Sequence, residues 1–208
     1  MYEVMCFGDS NTWGYDPSTG GRFARSVRWT GVLQAALGSD YVVIEEGLNG
    51  RTTVWEDPVE GDKMGKRHLL PILLSHAPLD LVIVLLGTND LKKRYSAPAS
   101  DIAAGVGLLL DIIASSGAGK NGSAPPALLL APPPLAKLTG FSGMFQDGTD
   151  KSRDLGKLYR EVADAHRCAF LNAADVIRSS DLDGIHLEEK DHKALGLAVA
   201  KEVRKLLR

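Results

Sequence analysis

The chain has 208 residues with 24 Lys and Arg against 26 Asp and Glu, a formal charge of -2, and a composition that is 44% apolar and 24% charged. Such a chain can bury enough surface to fold alone, which excludes disordered and fibrous classes, and it carries no basic footprint for nucleic acid or an anionic membrane. One domain over residues 1–208 is expected, since a single α/β domain of this size is ordinary.

The start of the chain leads from Met1 to Phe7 straight into Gly8 and a polar turn, so no export signal is read there and a soluble, cytoplasmic protein is expected. The longest apolar run, Leu81 to Leu86, is far shorter than the ~20 residues that cross a bilayer. Two cysteines, Cys6 and Cys168, cannot build a disulfide framework or a four-ligand zinc site and read as small core residues.

In chain order, Val4–Phe7, Tyr41–Ile44, Leu79–Leu86, Ala127–Ala131 and Ala169–Leu171 are short apolar runs ending at polar or turn residues, the pattern of parallel strands buried on both faces. Between and after them, Trp29–Leu37, His68–Leu74, Ile102–Ile113, Arg153–Ala165 and Leu195–Leu207 have helical spacing. The alternation predicts a three-layer α/β/α sandwich around a five-stranded parallel sheet, with ligands bound at the carboxyl ends of the strands. Gly117–Pro126 reads as a flexible surface connection, and Pro132–Gly148 is too long and irregular for an ordinary crossover, which makes it a candidate functional loop.

The strand ends carry the chemistry. The first leads into Gly8-Asp9-Ser10-Asn11, placing a serine at a strand-to-helix turn; alone, that serine fits an N-cap equally well. The second leads to Gly50, whose bare backbone N–H can approach a substrate oxygen. The third ends in Gly87-Thr88-Asn89-Asp90, where the Asn89 carboxamide either donates to an oxyanion or makes an Asx turn. Near the end, Asp183-Gly184-Ile185-His186 spaces a carboxylate to reach an imidazole Nδ1, leaving Nε2 as a base. Each signal is weak alone. Together and in this order they point to a serine nucleophile (Ser10), a base (His186), an orienting acid (Asp183) and an oxyanion site (Ser10, Gly50 and Asn89). Asp9 is expected to bond the backbone of its own turn. His68, His76, His166 and His192 show no metal or triad spacing and read as solvated, so no metal or other cofactor is expected.

These blocks resemble the SGNH (GDSL-type) hydrolases over essentially the whole chain, and within them the small bacterial arylesterases that are also acyltransferases and perhydrolases. The resemblance rests on CFGDSNTWG at Cys6–Gly14, VRWTGVL at Val27–Leu33, IEEGL at Ile44–Leu48, Arg51-Thr52-Thr53 and LDLVI at Leu79–Ile83. It implies a flavodoxin-like fold and a serine esterase acting through an acyl-enzyme. Asn11 stands where the name-giving pattern has leucine, a departure beside the pocket rather than in the chemistry. Trp13 and Tyr15 near the serine, and Phe141 and Phe145 spaced four apart in the long loop, are expected with Asn11 and Ile185 to bind substrate. By the resemblance, the aromatic residues narrow the site toward acetyl-type esters of aryl and simple alkyl alcohols. The group resembled also implies a homo-oligomer, an octamer in the best-known case, built partly through the long loop; its Pro and apolar content suits burial at a subunit contact. Related families remove acetyl groups from glycans with the same residues, which makes carbohydrate O-deacetylation the alternative. A catalytically silent ligand-binding module would not need the complete set.

Overall fold

The computed structural model describes residues 1–207. Strand β1 (Tyr2–Gly8) lies between β2 (Tyr41–Gly47) and β3 (Leu81–Leu85), with β4 (Ala127–Ala131) and β5 (Ala169–Asn172) beyond β3, all pairs parallel, in the order β2-β1-β3-β4-β5. That is the doubly wound, flavodoxin-like order, in which the chain reverses its direction of travel across the sheet at the β1/β3 junction.

Successive side chains of a strand face opposite ways, and here both sets are apolar. Val4 and Cys6 of β1, Leu81, Ile83 and Leu85 of β3, and Leu128 and Leu130 of β4 pack under α2 (Trp29–Leu37) and α6 (Glu189–Leu206). Met5, Phe7, Val82, Val84 and Leu129 pack under α3 (Gly65–Ser75), α4 (Ala99–Ser115) and α5 (Gly148–His166). A sixth, one-turn helix, α1 (Ser10–Trp13), caps the end of β1. The three layers agree with the sequence expectation.

The differences lie at element ends. Helix α6 starts six residues before Leu195, because its first turn carries Glu189 and Asp191 rather than apolar residues; acidic side chains suit the positive end of a helix. Helix α5 begins at Gly148, inside the segment expected to be loop. The Gly117–Pro126 connection is tied down rather than free: Leu79 N–H donates to Ala118 O at 2.8 Å, and Lys120 pairs with Asp80 at 2.6 Å.

His192 is a clear correction, being fully buried rather than solvated. Its Nδ1 accepts the Trp29 N–H at 3.2 Å, so one helix caps the start of another across the face of the sheet, and the edge of the Phe23 ring meets the imidazole at 5.4 Å. Burial, with the positive charges of Arg28 and His186, drives its pKa down to about 4. The imidazole is therefore neutral when folded and titrates near ~6.5 when unfolded, so its stabilising contribution is lost as pH falls from about 6.5 toward 4, by at most about 3 kcal/mol. Asp9 and Asp90 act in the opposite sense, burial raising both to about 6. The decisive quantity is therefore the difference between wild type and His192→Asn in urea unfolding. The variant is expected to gain on wild type as pH is lowered from 7.5 to 4.5; a pH-independent difference would contradict the neutral-cap role.

Candidate active site

Ser10 opens α1 immediately after β1. Asp9 accepts the Asn11 N–H at 2.9 Å, and the C-cap Gly14 returns its own N–H to Ser10 O at 2.8 Å. The close approach needs Gly8: a Cβ there would lie 2.8 Å from Leu85 O and inside the Thr12 side chain. Asp9 is thus used by its own turn, as expected.

His186 Nδ1 lies 2.6 Å from Asp183 Oδ2, and Ser10 Oγ lies 2.9 Å from His186 Nε2. Asp183 Oδ1 also accepts the backbone N–H groups of Ile185 and His186, at 2.8 and 2.9 Å. With Nδ1 donating to the carboxylate, Nε2 is left to accept from the serine hydroxyl. Burial opposes ionisation of Asp183, but the hydrogen bonds from the His186 ring and the two backbone donors outweigh it and hold the carboxyl below its ordinary range. All three side chains are nearly shielded, each residue being 6% exposed. The Tyr15 ring stacks on the imidazole at 4.0 Å and Phe141 meets it edge-on at 6.0 Å, fixing the ring plane. A serine hydroxyl held this way is set up to lose its proton to the imidazole as it attacks.

Gly50 and Asn89 reach the same cavity from loops after β2 and β3. Gly50 has φ +81°, a left-handed conformation that glycine adopts without strain. Asn89 Nδ2 donates to Arg51 O at 3.1 Å, which fixes the carboxamide against the Gly50 loop. Next to it, buried Asp90 accepts the Thr53 N–H at 3.0 Å and the Thr53 hydroxyl. Its carboxyl is pushed up to about 6, burial outweighing the Thr53 hydrogen bonds. Neighbouring residues of one turn thus clamp the other loop at two places.

The cavity is about 140 Å³ and has two unlike walls. Tyr15, Phe141, Met144, Phe145 and Ile185 form the apolar wall, while Asn49, Gly50, Glu60, Asn89 and Lys92 form the polar one. Phe145 N–H donates to Phe141 O at 3.1 Å, so the two rings do share a helical turn. Two residues expected to bind substrate lie elsewhere. Trp13 sits beneath the Arg22 guanidinium, 4.8 Å away, with its backbone carbonyl also engaged by Arg22. Asn11 is turned inward, its Nδ2 reaching Ile185 O at 3.4 Å, because it ties the serine turn to the histidine loop. Asn49, Glu60, Lys92 and Met144 went unnoticed in the sequence. Asn49 adjoins Gly50 and Met144 lies in the loop already singled out, but no local signal marks Glu60 and Lys92.

Residues 6–194 match the GDSL-like lipase/acylhydrolase family. Among solved structures, Est24, a carbohydrate acetylesterase from Sinorhizobium meliloti, is similar over 100% of both chains, with 42% identity and a TM-score of 0.96. The native aryl esterase of M. smegmatis is similar over 100% of both chains at 41% identity and a TM-score of 0.95. A carbohydrate acetylesterase family member from S. meliloti covers 100% of this chain and 99% of its own at 40% identity, with a TM-score of 0.95. No curated protein matches the chain. Fold, family match and relatives together define a hydrolase of carboxylic esters. The chain belongs to the GDSL-like lipase/acylhydrolase family.

Proposed function

We propose that the protein hydrolyses short-chain, acetyl-type esters of aryl and simple alkyl alcohols through an acyl-enzyme on Ser10. The observation that carries this reading is the hydrogen-bonded line Asp183–His186–Ser10, at 2.6 and 2.9 Å, opening into a small cleft. Ser10 Oγ attacks the ester carbonyl while His186 Nε2 takes its proton, and Asp183 stabilises the imidazolium. The oxyanion is received by the backbone N–H groups of Ser10 and Gly50 and by Asn89 Nδ2, and the imidazolium then protonates the leaving alcohol. Water, activated by the same imidazole, releases the acid.

Size supports the short acyl chain, since about 140 Å³ is small beside the roughly 300–1,000 Å³ of common ligand clefts. The apolar wall supports transfer as a second activity, because a site that disfavours water lets an alcohol or peroxide compete for the acyl group. The polar wall, with the likeness to Est24, favours a second reading, O-deacetylation of a carbohydrate by the same residues.

Hydrolysis of p-nitrophenyl acetate against p-nitrophenyl octanoate, with wild type and Ser10→Ala side by side, tests the first reading. Wild type is expected to prefer acetate strongly, and the variant to fold while losing at least about 10⁴-fold in kcat. The reaction needs a neutral base, so activity is expected to fall on the acid side; the Asp183 carboxyl, held below its ordinary range, stays ionised there, while Asp9 and Asp90, at about 6, gain protons over the same limb. Cleavage of neither ester by folded protein would move the deacetylase reading to the front. Adding a small alcohol to the acetate assay should yield transfer product.

A homo-oligomer is a further part of the proposal, although its support shifts. In the Pro132–Gly148 loop the proline, leucine and phenylalanine side chains are buried or half-buried, and Lys137, Thr139, Ser142 and Gln146 face solvent. Exposed Leu70 and Leu74 on α3 and Leu108 on neighbouring α4 are the better candidates for a subunit contact. A light-scattering mass near the 22.3 kDa of one chain would set the oligomer aside.

A further inference from the structure

The polar wall contains charges that the reaction scheme does not use. Lys92 is only 2% exposed, and its Nζ lies 2.6 Å from Glu60 Oε1 and 3.3 Å from Asp57 Oδ2. Asp57 is itself buried and fully engaged: it accepts from Arg94 at 2.7 Å, from the Tyr95 hydroxyl at 2.7 Å, and from the Val59 and Glu60 N–H groups at 2.9 and 3.0 Å. Glu60 sits at the partly exposed cavity rim, whereas the Lys92–Asp57 pair is fully buried and gains no clear stability over apolar side chains of the same volume. What it does impose is one geometry, since either charge left alone would be costly to bury.

The geometry imposed concerns the two loops of the oxyanion site. Lys92 follows the turn that carries Asn89, its backbone N–H closing that turn on Asn89 O at 3.1 Å. Glu60 lies against Gly50 so closely that a Cβ on Gly50 would be 2.5 Å from Glu60 Oε2. The same segment is hooked to the Gly50 loop by Thr52 N–H to Lys63 O and by Gly65 N–H to Thr52 O, both at 3.0 Å. The loops follow β2 and β3, which are not neighbours, β1 lying between them. Asp90 and Asn89 clamp them through Thr53 and Arg51, on the chain beyond Gly50. The Lys92–Glu60 pair adds a second tie, meeting Gly50 itself rather than the residues that follow it.

We propose that the Lys92–Glu60 ion pair is a strut that sets the distance between the Gly50 N–H and the Asn89 carboxamide, making both residues positioning residues for the oxyanion site. The proposal rests on the oxyanion reading of Gly50 and Asn89. Oxyanion donors act only where they meet the developing charge, so a displacement of about 1 Å is enough to cost on the order of 10²-fold in rate while ground-state binding is little changed.

The test compares Lys92→Met, Glu60→Ala, Glu60→Gln and Asn89→Ala on p-nitrophenyl acetate, with a thermal melt for each. Lys92→Met and Glu60→Ala are expected to lower kcat about 10- to 100-fold with KM within about two-fold, whereas Glu60→Gln, which keeps an oxygen toward Lys92, should recover most of the loss. Affinity for phenylboronic acid, whose tetrahedral adduct on serine puts an oxygen in the oxyanion position, should fall in step with kcat. If Lys92→Met does not fold, Glu60→Ala at the cavity rim carries the test. Unchanged kcat in folded Glu60→Ala, with Asn89→Ala strongly impaired, overturns the strut; unchanged kcat in Asn89→Ala overturns the oxyanion reading itself.

Discussion

The hydrogen bond from Ser10 Oγ to His186 Nε2 joins residues 176 positions apart, and most of the distinctive local structure serves to hold its two ends in place. On the serine side, Gly8 lets α1 sit against the end of β3, and Asp9 caps the turn so that the hydroxyl faces the cleft. On the histidine side there is no regular element, only the loop between β5 and α6, and loops need anchors. Asn11 reaches Ile185 O; Ala136 N–H donates to Gly184 O at 2.9 Å; and the Thr139 hydroxyl donates to Leu182 O at 2.8 Å. Tyr15 and Phe141 then fix the ring itself. The long loop after β4 therefore has two duties, since the segment that supplies the aromatic wall also holds the histidine loop.

Around this contact the protein buries several ionisable groups and stabilises them in three different ways. Asp183 is given enough donors to stay ionised despite burial. Asp9 and Asp90 have fewer compensating bonds, so burial wins and both carboxyls rise to about 6. His192 is kept neutral, which frees its Nδ1 to accept a helix N–H that a protonated ring would repel. These outcomes differ both in depth, Asp9 and Asp90 lying further from water than Asp183, and in the donors that meet the charged form, the His186 ring among those of Asp183. The carboxylate beside the imidazole is thereby kept ionised.

The fold and the residues of the proposed site were legible in the sequence for the same reason: both produce short-range signals. Strands buried on two faces make unbroken apolar runs such as Leu81–Leu86, and a residue needed at a strand end follows that run directly, as Ser10 and Asn89 do. Asp183 and His186 are three apart, so their contact is local too. What stayed illegible depends on distant pairing. Nothing local marks Lys92, because its partners Asp57 and Glu60 are 35 and 32 residues away. His192 read as solvated, and only the tertiary packing of α6 on α2 buries it. Trp13 was misjudged from proximity in sequence: three residues past Ser10, at the end of a one-turn helix, its ring faces Arg22 rather than the cleft.

The two walls of the cavity divide the work of selection. The apolar wall, formed largely by the loop after β4, bounds the space beside Ser10 and, in the proposed reaction, would limit how much hydrocarbon fits and how readily water competes for an acyl group. The polar wall comes from the loops after β2 and β3, whose backbone and side-chain donors meet negative charge. A change in the first alters which ester or nucleophile enters; a change in the second alters how well a tetrahedral intermediate is held, whatever the ester. The walls come from different segments but are joined where the Lys93 N–H donates to Met144 O at 2.8 Å, so the long loop is anchored to the chain that carries Lys92. On this arrangement aryl esterase and carbohydrate acetylesterase activities need not call for different chemistry, only a different loop over the same sheet end.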